Sequence, residues 1–298
     1  MLVVKKEHVV DSMSPANPPC AKCQSGDTVL FETKDCYDDR LMADGTVVGV
    51  DSAYANPATG PLFVEGAEKG DVLKVEIIKI QMAPTALMRV SLSDGAFQHN
   101  LKERQVRQYD TTGDSFKFNQ HLTLKMRPMV GVIGTAPESG AIPTTTPGKH
   151  GSNMDCKEIV EGSTLYLPVN TPGGLLAMGD IHGLMGDGEV MICGLEAAGE
   201  VTVRVSVVKG FELPTPCLRQ GGRFMTIQSA ETLDEASILA SREMQAFLIN
   251  HTPMDEYDSA RLLSLTGDLA VCQIVDPLLT VRMMIDESIL SQCGVKLP

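Results

Sequence analysis

The densest run of residues able to do chemistry spans positions 179–189, where Asp180, His182, Asp187 and Glu189 are separated by glycines. Asp180 and His182 stand two apart, as do Asp187 and Glu189, so on an extended backbone each pair projects from one face. The glycines permit a tight reversal and a close approach of backbone to ligand. An imidazole among carboxylates suits a divalent cation: zinc, the first choice, if the histidine ligates, and calcium or magnesium if only oxygens do. The competing reading is a solvated β-hairpin whose charges face water.

Two further clusters carry similar chemistry. In residues 150–155, Asn153 and Asp155 repeat the alternation and His150 precedes a glycine. In residues 34–39, Asp35 follows the apolar Val29-Leu30-Phe31 and is expected at a strand end. A rigid site draws its groups from separate supports, so these segments must be carried on different elements that converge.

The elements that could position them are mostly strands. Residues 73–80 and 201–207 alternate apolar and polar as half-buried strands do, and Gly/Pro clusters interrupt the rest at short intervals. Strands with frequent turns predict a sandwich. The Pro-, Thr- and Gly-rich residues 134–151 predict a long ordered loop leading into His150. After about Pro214 the pattern turns helical. Thr232-Leu233-Asp234-Glu235 is a capping box, followed by Ala236, Ala240, Met244 and Phe247 at helical spacing. Thr252-Pro253-Met254-Asp255 predicts a second helix with proline at its first position, closed by Gly267. Residues 269–275 and 279–284 read as neighbouring strands joined through Asp276-Pro277. The expected fold is therefore mainly β and sandwich-like, with a C-terminal α/β layer. Residues 1–214 are expected to form the β-rich domain that carries the site, and residues 215–298 an α/β subdomain with a share in subunit contact.

Composition narrows the function. A net charge of −13 and the lack of a basic run argue against a nucleic-acid partner. Neither a signal peptide nor an apolar run of membrane length is evident, so a cytoplasmic protein without a membrane partner is expected. The eight cysteines are scattered, which fits a reducing compartment. Cys20 and Cys23 have the spacing of half a zinc knuckle, but no second pair completes it. Cys36 and Cys156 adjoin Asp35 and Asp155, whose charge would disfavour a thiolate, and are read as packing residues.

At these same segments the chain resembles the acetamidase/formamidase family of amide hydrolases. The resemblance rests on Gly179-Asp180-Ile181-His182 followed by Gly186-Asp187-Gly188-Glu189, and on Ser152-Asn153-Met154-Asp155. It extends to Asn56-Pro57-Ala58-Thr59-Gly60-Pro61, to Val64-Glu65-Gly66-Ala67 and to Leu165-Tyr166-Leu167-Pro168-Val169. Two positions depart from it: Met185 stands where many relatives have glutamine, and Ser152 where glycine is usual. The resemblance implies hydrolysis of a small aliphatic amide such as formamide or acetamide, and a homo-oligomer.

An unactivated amide has a poor electrophile and a poor leaving group, so a divalent ion and a proton shuttle are the expected machinery. Asp180, His182 and Asp155 are expected to hold or orient the metal, with Glu189 as general base. Asp187 and Asp35 are second choices for either role. His150 and Asn153 are expected to bind the substrate amide, and Met185 to line the acyl pocket. A lactam hydrolase with the same chemistry and a non-catalytic metal-stabilised binding protein are the alternatives.

Overall fold

The computed structural model describes residues 1–48 and 56–298. Two large sheets lie face to face. The first runs in the order Leu2–Val4, Asp27–Thr33, Gly199–Val208, Val72–Met82, Thr164–Pro168, Cys217–Gln220, Arg223–Ala230, Leu279–Asp286 and Asp268–Gln273. The second is built around Leu176–His182, with Met129–Gly134 and Gly151–Asn153 on one side and Glu196–Ala197, Thr85–Arg89 and Val106–Asp110 on the other. Ala58–Val64 also pairs with Leu176–His182 and carries the short strands Val9–Val10 and Ala21–Cys23.

Period-two alternation sorts the side chains between the faces of the first sheet. Leu165 and Leu167 enter the core between the sheets, where they join Phe31, Leu73, Val203, Ile133 and Met178. Tyr166, between them in sequence, goes to the outer face among the helices. Each such large apolar side chain, fully buried, contributes about 1.5–3 kcal/mol. The alternating strands predicted at residues 73–80 and 201–207 are observed as Val72–Met82 and Gly199–Val208, and they pair with each other in the middle of this sheet.

Three helices complete the fold among the described residues: α1 (Leu233–His251), α2 (Glu256–Thr266) and α3 (Glu287–Gln292). Thr232 caps α1, its side chain accepting from the Glu235 N–H. The predicted stripe of Ala236, Ala240, Met244 and Phe247 is buried against the sheet, and Phe247 meets Phe224 at a ring separation of 4.8 Å. The second helix begins later than expected. Thr252 ends α1, and α2 starts after Asp255, whose carboxylate accepts from the Tyr257 and Asp258 N–H groups. One carboxylate serving two orphan donors fixes the start there, so Pro253 lies in the turn and not at the first helical position. Gly267 closes α2 as expected, its N–H donating to the Leu263 carbonyl.

The fold is the expected one, β-rich with helices laid on a sheet. The sheet takes strands from both sides of residue 214, with Tyr166 paired to Cys217 and Leu165 to Leu218. Leu218, Met225, Ile227 and Cys272 then share the core between the sheets with the N-terminal strands. Among the described residues no helix is long and apolar enough to cross a membrane.

Candidate active site

The site is built on Leu176–His182, whose seven residues are all buried. Its register with Glu196–Ala197 sets Glu196 opposite His182, and its register with Met129–Gly134 sets Met129 opposite His182 and Val130 opposite Ile181. On the far side of Met129–Gly134, Val132 pairs with Asn153, and the Asp155 N–H then reaches the Gly131 carbonyl at 3.3 Å. Asn56, just ahead of Ala58–Val64, donates from Nδ2 to Asn153 Oδ1 at 2.9 Å and to Asp180 Oδ2 at 3.2 Å. Glu189 arrives on a loop stitched to the C-terminal region: Gly188 donates to the Cys272 carbonyl and accepts from the Ile274 N–H. That same region supplies Asp276.

The backbone at these positions is unusual. Asn56, Asp155, Asp180 and Glu189 all have φ between 43° and 56°. Left-handed conformations cost a side-chain-bearing residue about 1–3 kcal/mol and persist only where the surroundings impose them. Asp180 holds this conformation inside its strand, with its Oδ1 3.2 Å from His182 Nε2. Gly131 makes room for the cluster, since a Cβ there would collide with Asp155 Oδ1 and lie 2.7 Å from Asp180 Oδ2.

These groups form the floor of a cavity of about 730 Å³. His182 Nε2 lies 3.2 Å from Asp180 Oδ1, 3.2 Å from Glu196 Oε2 and 3.9 Å from Asp155 Oδ1. One ring nitrogen carries one proton at most, so it cannot satisfy three carboxylate oxygens at once. Asp155 Oδ1, Glu196 Oε2 and His182 Nδ1 are buried without a hydrogen-bond partner. Burial, reinforced by like charges nearby, pushes the carboxyls of Asp155 and Glu196 up to about 7 and those of Glu189 and Asp276 well above the usual range. Burial would lower the His182 imidazole, but the carboxylates of Glu196 and Asp180 outweigh it and raise it well above its ordinary value.

A cluster so short of positive charge fits a divalent cation. Donor atoms of Asp155, His182 and Glu189 lie within 4.8 Å of one another, and so do those of Cys36, Asp180 and Glu196. The donor set is oxygen-rich, with one imidazole and one thiol in reach, a combination that zinc accepts.

Of the residues singled out in the sequence, Asp155, Asp180, His182, Glu189 and Asn153 line this cavity. The others lie elsewhere. Asp187 points away from Glu189, in a two-pronged ion pair with Arg282 at 2.7 and 2.9 Å and another with Lys157 at 2.8 Å. The expected Asp187/Glu189 hairpin face does not form, because positive φ at Gly188 and Glu189 breaks the alternation. Asp35 organises its own loop, its Oδ1 accepting from the Tyr37 and Asp39 N–H groups. Burial pushes its carboxyl up to about 6. His150 borders a separate cleft with Pro147 and Leu278, where burial lowers its imidazole to about 4.

Met185 is buried with Met129 and Val160 and lines a neighbouring apolar cavity of about 250 Å³. Met185→Gln is therefore expected to cost about 1–3 kcal/mol of stability, from burial of an amide, while leaving the ratio of activities on formamide and propionamide unchanged. Thermal unfolding alongside paired kcat/KM measurements checks this. A tenfold change in that ratio without loss of stability would return Met185 to the pocket.

Four polar residues close to the histidine and its carboxylates were not among the candidates read from the sequence. Cys36, read as packing, lies within ligand distance of Asp180 and Glu196. Glu196 had a usable signal, a single carboxylate inside the apolar run Cys193-Gly194-Leu195-Glu196-Ala197-Ala198. Asn56 stands in a segment noted only for resemblance. Asp276 looked like turn chemistry, and nothing local distinguished it.

The profile of the Acetamidase/Formamidase family matches residues 3–143 and 138–221. An acetamidase from Bacillus halodurans superposes with a TM-score of 0.96 at 44% identity, covering 99% of this chain and 100% of that one. An acetamidase/formamidase predicted in Thermoanaerobacter tengcongensis gives a TM-score of 0.96 at 39% identity over 99% of both chains. A putative formamidase of Schizosaccharomyces pombe is 26% identical over 258 residues, an alignment covering 65% of this chain and 63% of that protein. With a profile matching most of its length and near-complete superposition on two such structures, this chain belongs to the acetamidase/formamidase family.

Proposed function

We propose that this protein hydrolyses a small aliphatic primary amide, of the formamide or acetamide type, to a carboxylate and ammonia with the help of a divalent ion, zinc in the first instance. The observation that carries the reading is the convergence of Asp155, Asp180 and Glu196 on one histidine nitrogen, with buried oxygens left unpaired. Asp155, Asp180 and His182 would hold the ion, with Glu196 and Cys36 the further donors in reach. When bound, such an ion supplies Lewis-acid polarisation of the amide carbonyl and stabilises negative charge on its oxygen.

The chain's own residues supply the rest. Glu189 borders the cavity, and burial holds its carboxyl well above the usual range, which suits a group that must take and return a proton. It takes the proton of the attacking water as the new C–O bond forms. It then delivers that proton to the amide nitrogen as the C–N bond breaks, so that ammonia leaves. Asn153, held by Asn56, faces the same space and offers an amide group to orient the substrate.

The test is metal dependence. Protein as purified is expected to carry a divalent ion; chelation is expected to abolish release of ammonia from acetamide and readdition to restore it. Elemental analysis beside the ammonia assay reads both. Full turnover by demonstrably metal-free protein would reject the role given to Asp155, Asp180 and His182.

A further inference from the structure

The cavity is acidic at its floor and basic at its rim. Arg89 ends the strand Thr85–Arg89, Arg104 lies just before Val106–Asp110, and the pairing of Arg89 with Val106 brings both to one end of this hairpin. Both arginines line the cavity and both are exposed. Among the described residues neither has a carboxylate within 4.0 Å, whereas Arg40 on the same rim is paired with Asp38 at 3.1 Å. Asp94 lines the same cavity; its Oδ2 accepts from the hydroxyls of Ser91 and Ser93 at 2.8 and 2.6 Å, which hold its carboxyl below the usual range with a smaller contribution from the charges of Arg89 and Arg104. Arg89 is held in place by the ring of Tyr37, with its guanidinium carbon 5.3 Å from the ring centroid.

Exposed arginines without ion-pair partners contribute little to folding. A guanidinium stacked on a ring, with a second arginine on the same rim, instead offers planar donors suited to a carboxylate. The volume agrees. Cavities of roughly 300–1,000 Å³ enclose ligands of many heavy atoms, and a two-carbon amide would leave most of 730 Å³ unfilled.

We propose that the cavity takes an amide whose far end carries a carboxylate, held by Arg89 and Arg104 while the amide lies among Asp155, His182 and Glu189. This rests on the amide-hydrolase reading above and adds the substrate class to it. The bond cleaved and the products are as before, with the carboxylate tail unchanged through the reaction.

The experiment compares succinamate with butanamide, an uncharged amide of similar length, in the metal-loaded protein, with acetamide as reference. Succinamate is expected to have a kcat/KM about tenfold or more above butanamide, mainly through KM, as charged hydrogen bonds to guanidinium allow. The advantage should shrink as salt rises, because the rim is exposed. The double variant Arg89→Gln/Arg104→Gln is expected to lose the advantage and keep the acetamide rate. Turnover of acetamide and butanamide with no advantage for succinamate overturns this inference and leaves the amidase reading standing. An advantage that survives in the double variant also overturns it. Turnover of none of the three amides overturns both.

Discussion

Glu189→Gln is expected to lower kcat by about a hundredfold or more while the metal content of the protein stays nearly intact. The substitution keeps shape and hydrogen-bonding capacity at a buried position of 8% exposure but cannot accept a proton. Paired kinetics and elemental analysis separate the possibilities: loss of the ion together with activity would make Glu189 a ligand. Asp187→Asn is the matched control, two residues away in the same motif. Its carboxylate serves Arg282 and Lys157, so the variant is expected to lose stability with at most a modest change in kcat. Should Asp187→Asn alone show the pure kcat defect, the roles of the two residues must be exchanged.

Gly131→Ala is expected to remove metal binding and to cost about a hundredfold or more in activity, although no catalytic group is altered. The added methyl would occupy the space of Asp155 Oδ1 and press on Asp180 Oδ2, and both carboxylates sit on strained backbone that has little freedom to retreat. Gly186→Ala, within the glycine-rich motif, is the control, since a Cβ there meets nothing within 4 Å. Metal content, ammonia release and thermal unfolding of the two variants decide the matter. If Gly131→Ala kept its ion and its rate, the described convergence of Asp155 and Asp180 could not be the working site.

Both experiments rest on features of very different visibility in the sequence. Glu189 was legible because it lies in a dense, glycine-spaced run beside Asp180 and His182. Gly131, in Met129-Val130-Gly131-Val132-Ile133-Gly134, looked like any glycine in an apolar strand. Its role appears only when Asp155 and Asp180 are folded against it from either side. Asp35 and His150 stood next to suggestive neighbours, Asp35 only as a second choice, yet the Asp35 carboxylate is used by its own loop and the His150 side chain faces a different cleft.

By itself the sequence determined the β-rich class, the α1 cap and the family, and it singled out Asp155, Asp180 and His182, which the fold brings to one cavity. Alternation and capping are local, set by neighbours a few positions apart, so they can be read directly. Tertiary structure decided which carboxylate each cation meets. Glu196 faces His182 because two antiparallel strands pair in that register, and Asp187 is drawn away by Arg282, 95 residues further along the chain. It also holds Asp180 and Asp155 at positive φ angles that only the packed surroundings enforce. Long-range register and backbone strain leave no mark in the spacing of residues, which is why the ligand-rich floor was only half visible before the sheets were assembled.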